Sequence, residues 1–477
     1  MTFYLKISIR LSADIIESTN KSLDSFPLRL SFISEKRFFN ASSIAPGQNQ
    51  MNQDARFVRE IVVEHTKFFS ESLPMIASEN ILSPLAREML ISDFHSRYAE
   101  GTVGKRYYEG NKYVDMVEQR TIDLAKKLFD CSFADVRAIS GTVANAAVYF
   151  ALTRPGDLVA TMSLSDGGHI SAASFGALGL RGLKTVNFPF DAKIMNIDVS
   201  KTRRMLKKAK PKVALFGMST FLFPTPIKEL KDVLSDVGCY VWYDAAHVLG
   251  LIGGGVFQDP LKEGVEIITA STHKTFPGPQ HGIILANPRD DALARALERG
   301  VFPGITSNHH LHSVAALAIS LAEHIEFGKE YARQTVANAK ALGQAMHERG
   351  IAVLCPDLGF TQSHILLINV AKNGGGQEIA TRLANSNIIT NKNLLPHDRS
   401  SKRPSGIRLG TQELTRIGMK EKDMIDVAEL FKRVILKKED PKRIARDVRE
   451  LRRNFTKIEY CFGAGMPAFE HLKILGD

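Results

Sequence analysis

Ser271-Thr272-His273-Lys274-Thr275-Phe276-Pro277-Gly278-Pro279-Gln280 is the centre of the stretch, Val241 to Gly282, around which this chain is organised. Upstream, Tyr240-Val241-Trp242-Tyr243-Asp244 reads as a short buried strand ending on a carboxylate, and Ile267-Ile268-Thr269-Ala270 as another ending just before a lone lysine. Both charges then sit at strand ends, the edge of an open α/β sheet where loops converge on ligands. A lysine there, bracketed by Ser/Thr and a Pro-Gly turn, is what pyridoxal phosphate chemistry needs. The amine reaches the cofactor aldehyde as a Schiff base, and an Asp pairs with the pyridinium nitrogen so that the ring withdraws electrons. On spacing alone a second reading stays open, with Lys274 a surface lysine and Asp244 a helix cap.

The chain has 477 residues, enough for two domains with a sizeable core. Its 44% hydrophobic and 24% charged residues are those of a soluble globular protein, and no apolar run approaches the ~20 residues of a membrane span. Cys131, Cys239, Cys355 and Cys461 are far apart, which points to neither a disulfide framework nor a zinc site and fits a reduced, cytoplasmic setting. The net charge of +11 raises the question of nucleic acid, but the excess is spread. Its densest part, Lys437 to Lys457, carries Ile444, Val448, Leu451 and Phe455 at helical spacing, with Asp440 to cap and Pro441 in the first turn. That is an amphipathic helix with a solvated basic face, so no nucleic-acid partner is expected.

Residues 1–50 are Ser-rich, and Phe3 to Leu11 alternates like a strand without an evident partner. Asp14, Glu17, Asp24 and Glu35 argue against a transit peptide. An amphipathic helix is expected from Asp54 to Leu73, then a Gly- and Tyr-rich loop, Arg97 to Gly110, holding Tyr98, Glu100 and Tyr108. Such a loop reads either as a mobile proton-donating segment or as a surface turn. Ser140-Gly141-Thr142 opens a helix whose free N–H groups form an anion cradle, or simply a capped start. Strands over Asp157–Met162, Val213–Gly217 and Gly282–Ala286 alternate with helices such as Ile227–Val237, which argues a parallel sheet. His309, His310 and His312 have no carboxylate or cysteine beside them in sequence and start an apolar helix reaching Ala322, so no metal site is expected. A composition shift near Gly328 opens a smaller α+β unit: helix Gln334–Arg349, strands Ile351–Leu354 and Ile365–Val370, helix Glu378–Ala384 and a long final helix from Lys420. Within it, Arg408 in a strand-like segment flanked by Gly and Ser suits two-pronged binding of a carboxylate.

Ser-Thr-His-Lys-Thr followed by Gly-Pro-Gln, with Asp244-Ala245-Ala246-His247 thirty positions before the lysine, resembles serine hydroxymethyltransferase, in its details the archaeal branch of that family. The resemblance runs from about Met51 to the C-terminus. It implies an aminotransferase-like (fold type I) large domain with a mainly parallel seven-stranded sheet over 81–327, preceded by a helical arm over 51–80. A smaller α+β domain follows over 328–477, and residues 1–50 become an extension, disordered or not native. The implied reaction is reversible transfer of the serine hydroxymethyl group to a reduced pterin, tetrahydrofolate or tetrahydromethanopterin, giving glycine, in a cytoplasmic homodimer.

By resemblance, Lys274 carries pyridoxal phosphate, Ser140, Gly141 and Thr142 take its phosphate, His169 covers the ring and Asp244 pairs with its nitrogen. His247 meets its phenolic edge, and Ser219, Ser271, Tyr98 and Gly304 complete the cofactor site. Arg408 fixes the substrate carboxylate, while Ser78 and Asn393 line the substrate or pterin space. Glu100, Tyr108 and His273 join Lys274 as catalytic residues, with Tyr98, Tyr108 and the Gly304 loop reaching across from the second subunit. His281 departs from the glycine or small residue expected at its position. Two rivals stand beside this reading: a threonine aldolase or transaldolase that needs no pterin, and a non-catalytic basic RNA-binding homologue.

Overall fold

The computed structural model describes residues 51–396, 398, 400 and 402–472, so the Phe3–Leu11 strand and the reading of residues 1–50 lie outside the described residues. Contacts divide the chain into Met1–Phe57 and Val58–Asp477. In the first unit, Asn52 Oδ1 accepts from the N–H of Ala55 at 2.8 Å and opens the helix Gln53–Ser70. In the second, that helix leaves Val58, Ile61, Val62 and Phe68 exposed.

The second unit is built on a seven-stranded sheet in the order Phe133–Asp135, Gly282–Ala286, Ile267–Ser271, Tyr240–Asp244, Val213–Gly217, Leu158–Thr161, Lys184–Asn187. Gly282–Ala286 is antiparallel to both its neighbours and the remaining pairings are parallel. The central strands are apolar throughout because both faces are covered. Leu215, Trp242, Ile267 and Ile284 bury on one face with helix Gly141–Leu152, while Phe216, Tyr243, Ile268 and Leu285 bury on the other. The fold is therefore the α/β architecture expected, with Asp244 and Ser271 at strand ends.

A second core surrounds a three-stranded antiparallel sheet, in which Gly406–Gly410 lies between Ile365–Asn369 and Asn391–Asn393. Three elements differ from expectation. Leu311–Glu348 is one 38-residue helix that passes straight through Gly328. Gly328 is a packing residue here: a Cβ would lie 2.6 Å from the His324 ring, and its carbonyl abuts Gly254. Close approach thus overrides the ~1 kcal/mol cost of a mid-helix glycine. The strand over Ile351–Leu354 shrinks to a single bridge between Val353 and Ile368. The final helix divides into Met424–Ile435 and Pro441–Arg452; Asp440 caps the second, accepting from Lys442 N–H at 3.2 Å.

Candidate active site

At the carboxyl edge of the large sheet lies a cavity of about 220 Å³. Ser140, Gly141, Thr142, His169, Ser219, Asp244, His247, Ser271, His273 and Lys274 all line it, as do Asn145, Met218 and Ala246. Residues separated by more than a hundred positions meet because four elements end at one edge.

Lys274 is buried just beyond the strand Ile267–Ser271. Asn80 holds its main-chain carbonyl, donating from Nδ2 at 2.6 Å, and donates to Tyr331 Oη at 2.8 Å as well. The loop after the lysine is pinned by Thr272 Oγ1 donating to Pro279 O at 2.7 Å and Thr275 Oγ1 donating to His247 O at 2.8 Å. Burial, with a smaller push from Arg408, brings the Lys274 amine down to about 8 against the pull of Asp244. Asp244 is the only carboxylate among the described residues lining the cavity. Its Oδ1 accepts from the N–H of Ala246 at 3.0 Å and its Oδ2 from Asn145 Nδ2 at 2.8 Å.

Helix Gly141–Leu152 points its N-terminus into this space. Ser140 caps it, its Oγ accepting from Val143 N–H at 3.2 Å, while the N–H groups of Gly141 and Thr142 have no partner among the described residues. A Cβ on Gly141 would collide with Ser271 Oγ, so only glycine lets the helix start close on the strand end. His247 is buried and its Nδ1 unpartnered, as is His273 Nδ1. Burial holds His273 at about 4 and His247 well below the usual imidazole range, so both present neutral rings.

Arg408 comes from the small sheet to the rim of this cavity without being one of its lining residues, donating from Nη1 to the main-chain oxygen of the lining residue Ser219 and from Nε to Asn391 Oδ1 at 3.2 Å. No carboxylate pairs with it among the described residues, and burial lowers its pKa to about 10. The remaining expected residues lie elsewhere. Ser78 lines an adjoining cavity of about 640 Å³ that shares His273. Asn393 donates to Leu394 O and does not line either cavity. Tyr98 and Tyr108 pack edge to face at 4.9 Å, both about half exposed, and Tyr98 Oη lies 3.5 Å from Ser307 Oγ. These two, Glu100 and Gly304 are not among the lining residues in the single chain.

Sequence reading missed three contributors. Asn145 was a polar residue on an Ala-rich buried helix face, a signal that was there to use. His364 stacks on His247 at 5.8 Å and bonds through Nε2 to Ala77 O, and Asn391 orients Arg408. His281 is a core residue: fully buried, Nε2 donating to Val136 O at 2.6 Å, away from the cavity. His309, read without a carboxylate neighbour, meets buried Glu118 at 2.8 Å once the chain is folded.

The residues present fit pyridoxal phosphate on the chain's own chemistry. A buried amine of lowered pKa faces one carboxylate, a helix start offers two free N–H groups, and an orphaned imidazole nitrogen waits beside them. The family model of serine hydroxymethyltransferase matches residues 51–431. A serine hydroxymethyltransferase from Thermoplasma acidophilum is 52% identical over 425 residues, covering 89% of this chain and 99% of its own. One from Methanopyrus kandleri is 51% identical over 420 residues, covering 88% and 97%. Among solved structures, the L-threonine transaldolase of Pseudomonas fluorescens in its internal aldimine state aligns with a TM-score of 0.80 at 29% identity, covering 86% of this chain and 94% of that one.

Proposed function

Since this chain belongs to the serine hydroxymethyltransferase family, enzymes that interconvert serine and glycine by one-carbon transfer, we propose that its cavity binds pyridoxal phosphate and that the one-carbon acceptor is a reduced pterin. Bound there, the cofactor supplies an aldehyde for amines and a sink for the electrons released at the substrate carbon. The observation that carries this reading is Lys274: a buried amine at about 8, facing the lone carboxylate of Asp244.

The chain's own residues divide the work. Ser140, Gly141 and Thr142 hold the phosphate on the helix start, where free N–H groups and the helix dipole favour an anion. Asp244 would keep a proton on the ring nitrogen, His169 would cover the ring, and His247, whose Nδ1 is unpartnered, would meet its phenolic side. Ser219 and Ser271 close the rim. Arg408 would clasp the amino-acid carboxylate with its planar fork and so orient the substrate at the α carbon. His273, shared by the two cavities, faces both the lysine and the Ser78 space. Asn393 belongs to the pterin side.

Tyr98, Glu100, Tyr108 and Gly304 are assigned to the neighbouring site of a homodimer, Glu100 moving the proton of the serine hydroxyl. This accounts for tyrosines left half exposed on the single chain. The arm over 51–80, a large domain from 81 and a small C-terminal domain complete this reading, the boundary expected at 327/328 lying inside the helix Leu311–Glu348 that both cores share. No helix among the described residues is long and apolar enough to cross a membrane, and unpaired cysteines suit a reducing cytoplasm.

The likeness to a threonine transaldolase favours one alternative, a pterin-independent aldol reaction, at 29% identity against about half for the serine hydroxymethyltransferases. The test is serine cleavage with tetrahydrofolate, with a tetrahydromethanopterin-type carrier, and with neither. Turnover that depends on a carrier is expected; equal turnover without one would replace this reading with the aldolase.

A further inference from the structure

Behind Asp244 and His169 runs a chain of buried hydrogen bonds whose direction is set at one end. Trp242 Nε1 can only donate, and it does so to Thr269 Oγ1 at 2.9 Å. The Thr269 hydroxyl, having accepted, sends its own proton to Asn145 Oδ1 at 2.6 Å. That fixes the Asn145 amide: its Nδ2 faces Asp244 Oδ2 at 2.8 Å and Ser171 Oγ at 3.0 Å, donating to both. Ser171 then points its proton at His169 Nδ1, 2.8 Å away. The Ser171 N–H, which can only donate, is directed at that nitrogen at 3.2 Å and so requires Nδ1 to be the acceptor, with which the hydroxyl contact agrees. Trp242, Thr269, Asn145 and Ser171 are all buried.

We propose that Asn145 is a positioning residue for the cofactor site: oriented from Trp242 through Thr269, it aims the Asp244 carboxylate and, through Ser171, holds His169 as the Nε2–H tautomer. Asn145 touches neither ring directly in this assignment. Its effect on catalysis is exerted through the two residues that, on the reading given above, bracket the cofactor ring, and the proposal rests on that reading for its role though not for its wiring. Both ends of the Asn145 amide agree, since Asp244 accepts where Trp242 demands that it should. A flipped amide would oppose oxygen to carboxylate and leave the Thr269 proton without an acceptor.

The chain has a single tryptophan, so its indole N–H gives one resonance in a 15N-labelled sample. The experiment uses full-length protein, first free of cofactor, as wild type, Asn145→Leu, Thr269→Val and Thr269→Ser. 15N-histidine spectra, with His169 assigned by its loss in His169→Phe, are expected to show the Nε2–H tautomer in wild type and Thr269→Ser and a tautomer mixture in Asn145→Leu. The indole signal is expected to move in Thr269→Val and to stay in Thr269→Ser. Titration with pyridoxal phosphate is then expected to weaken by roughly tenfold in Asn145→Leu and Thr269→Val, the scale of one buried hydrogen bond, with Thr269→Ser restored. An Nδ1–H tautomer in wild type, or an unchanged tautomer in Asn145→Leu, overturns the proposal. If Asn145→Leu does not fold, the Thr269→Val and Thr269→Ser pair decides: equal indole signals and equal cofactor affinity in the two overturn it. Failure of wild type to bind pyridoxal phosphate would instead overturn the functional reading, while the histidine and indole spectra still judge the wiring.

Discussion

Arg408 donates from Nη1 to the main-chain oxygen of Ser219 at 2.8 Å, a bond that ties the middle strand of the small sheet to the rim of the Lys274 cavity. The guanidinium is thereby held with Nε on Asn391 and Nη1 on Ser219, leaving Nη2 without a partner among the described residues.

That geometry predicts the outcome of Arg408→Lys. An ammonium keeps the charge but has no planar fork, so it cannot keep the Ser219 and Asn391 contacts and still offer a carboxylate two parallel bonds. Serine affinity is expected to fall by about tenfold or more, the scale of one charge-assisted hydrogen bond, as read from serine binding to the cofactor-loaded protein. Wild-type affinity would place the substrate carboxylate elsewhere.

Lys274 predicts a pH dependence. Burial is the largest cause of its fall from 10.5 to about 8, and the neutral amine is the form that attacks an aldehyde. Uptake of pyridoxal phosphate by cofactor-free protein is expected to accelerate as pH rises through about 8, and Asp244→Asn, which removes the upward pull, is expected to lower that midpoint. Between about 8 and 10.5 the unfolded chain binds the proton that the folded chain has released, so this group adds stability with rising pH across that window. Denaturation midpoints of cofactor-free wild type and Lys274→Met, compared across the window, check the sign.

Glu100 predicts a result that depends on subunit pairing. Glu100→Gln is expected to lose roughly 10²–10⁴-fold in pterin-dependent serine turnover while keeping cleavage of a bulky β-hydroxy amino acid. Mixing Glu100→Gln with Lys274→Ala subunits should then restore roughly a quarter of wild-type turnover, because half of randomly paired dimers are mixed and each holds one intact site. No recovery on mixing would return Glu100 to its own chain's site.

His281 predicts a change in stability with no change in chemistry. Removing its side chain leaves a void and strips Val136 O of its partner, so His281→Ala is expected to cost about 1–3 kcal/mol, measured by denaturant unfolding, with cofactor binding retained. Burial holds its pKa at about 4. Below about 6.5 the unfolded imidazole takes up a proton that the folded one refuses, so stability from this group declines as pH falls from 6.5 towards 4.

What could be read from the sequence follows a physical line. Asp244 and Lys274 were legible because a strand buried on both faces is an unbroken apolar run, and a charge at its end stands out. Arg408 stood out for a different reason, as a charge inside a strand-like segment flanked by Gly and Ser. Asn145, Asn391 and His364 were not assigned, because their roles exist only in partners 99, 17 and 287 positions away, and an asparagine in a helix announces no direction for its amide. The helix reaching Ala322 and the one expected from Gln334 are a single helix, because the fold uses the missing Cβ of Gly328 for contact, which no local pattern announces. The start of the last helix was legible in Asp440 and Pro441, a cap and a first-turn proline, whereas the long helix expected from Lys420 ran across the break between Ile435 and Asp440.

The helix Leu311–Glu348, about 57 Å of rod, contributes Val314, Leu317 and Leu321 to one apolar core and Leu342, Ala345 and Met346 to the other. Neither core can melt without stranding half of that helix in water, so heat or denaturant should meet a single cooperative transition shared by both sheets. A protease finds no linker at Gly328 to nick, and a gene cut there would yield two fragments that each carry an unpaired apolar half-helix and aggregate.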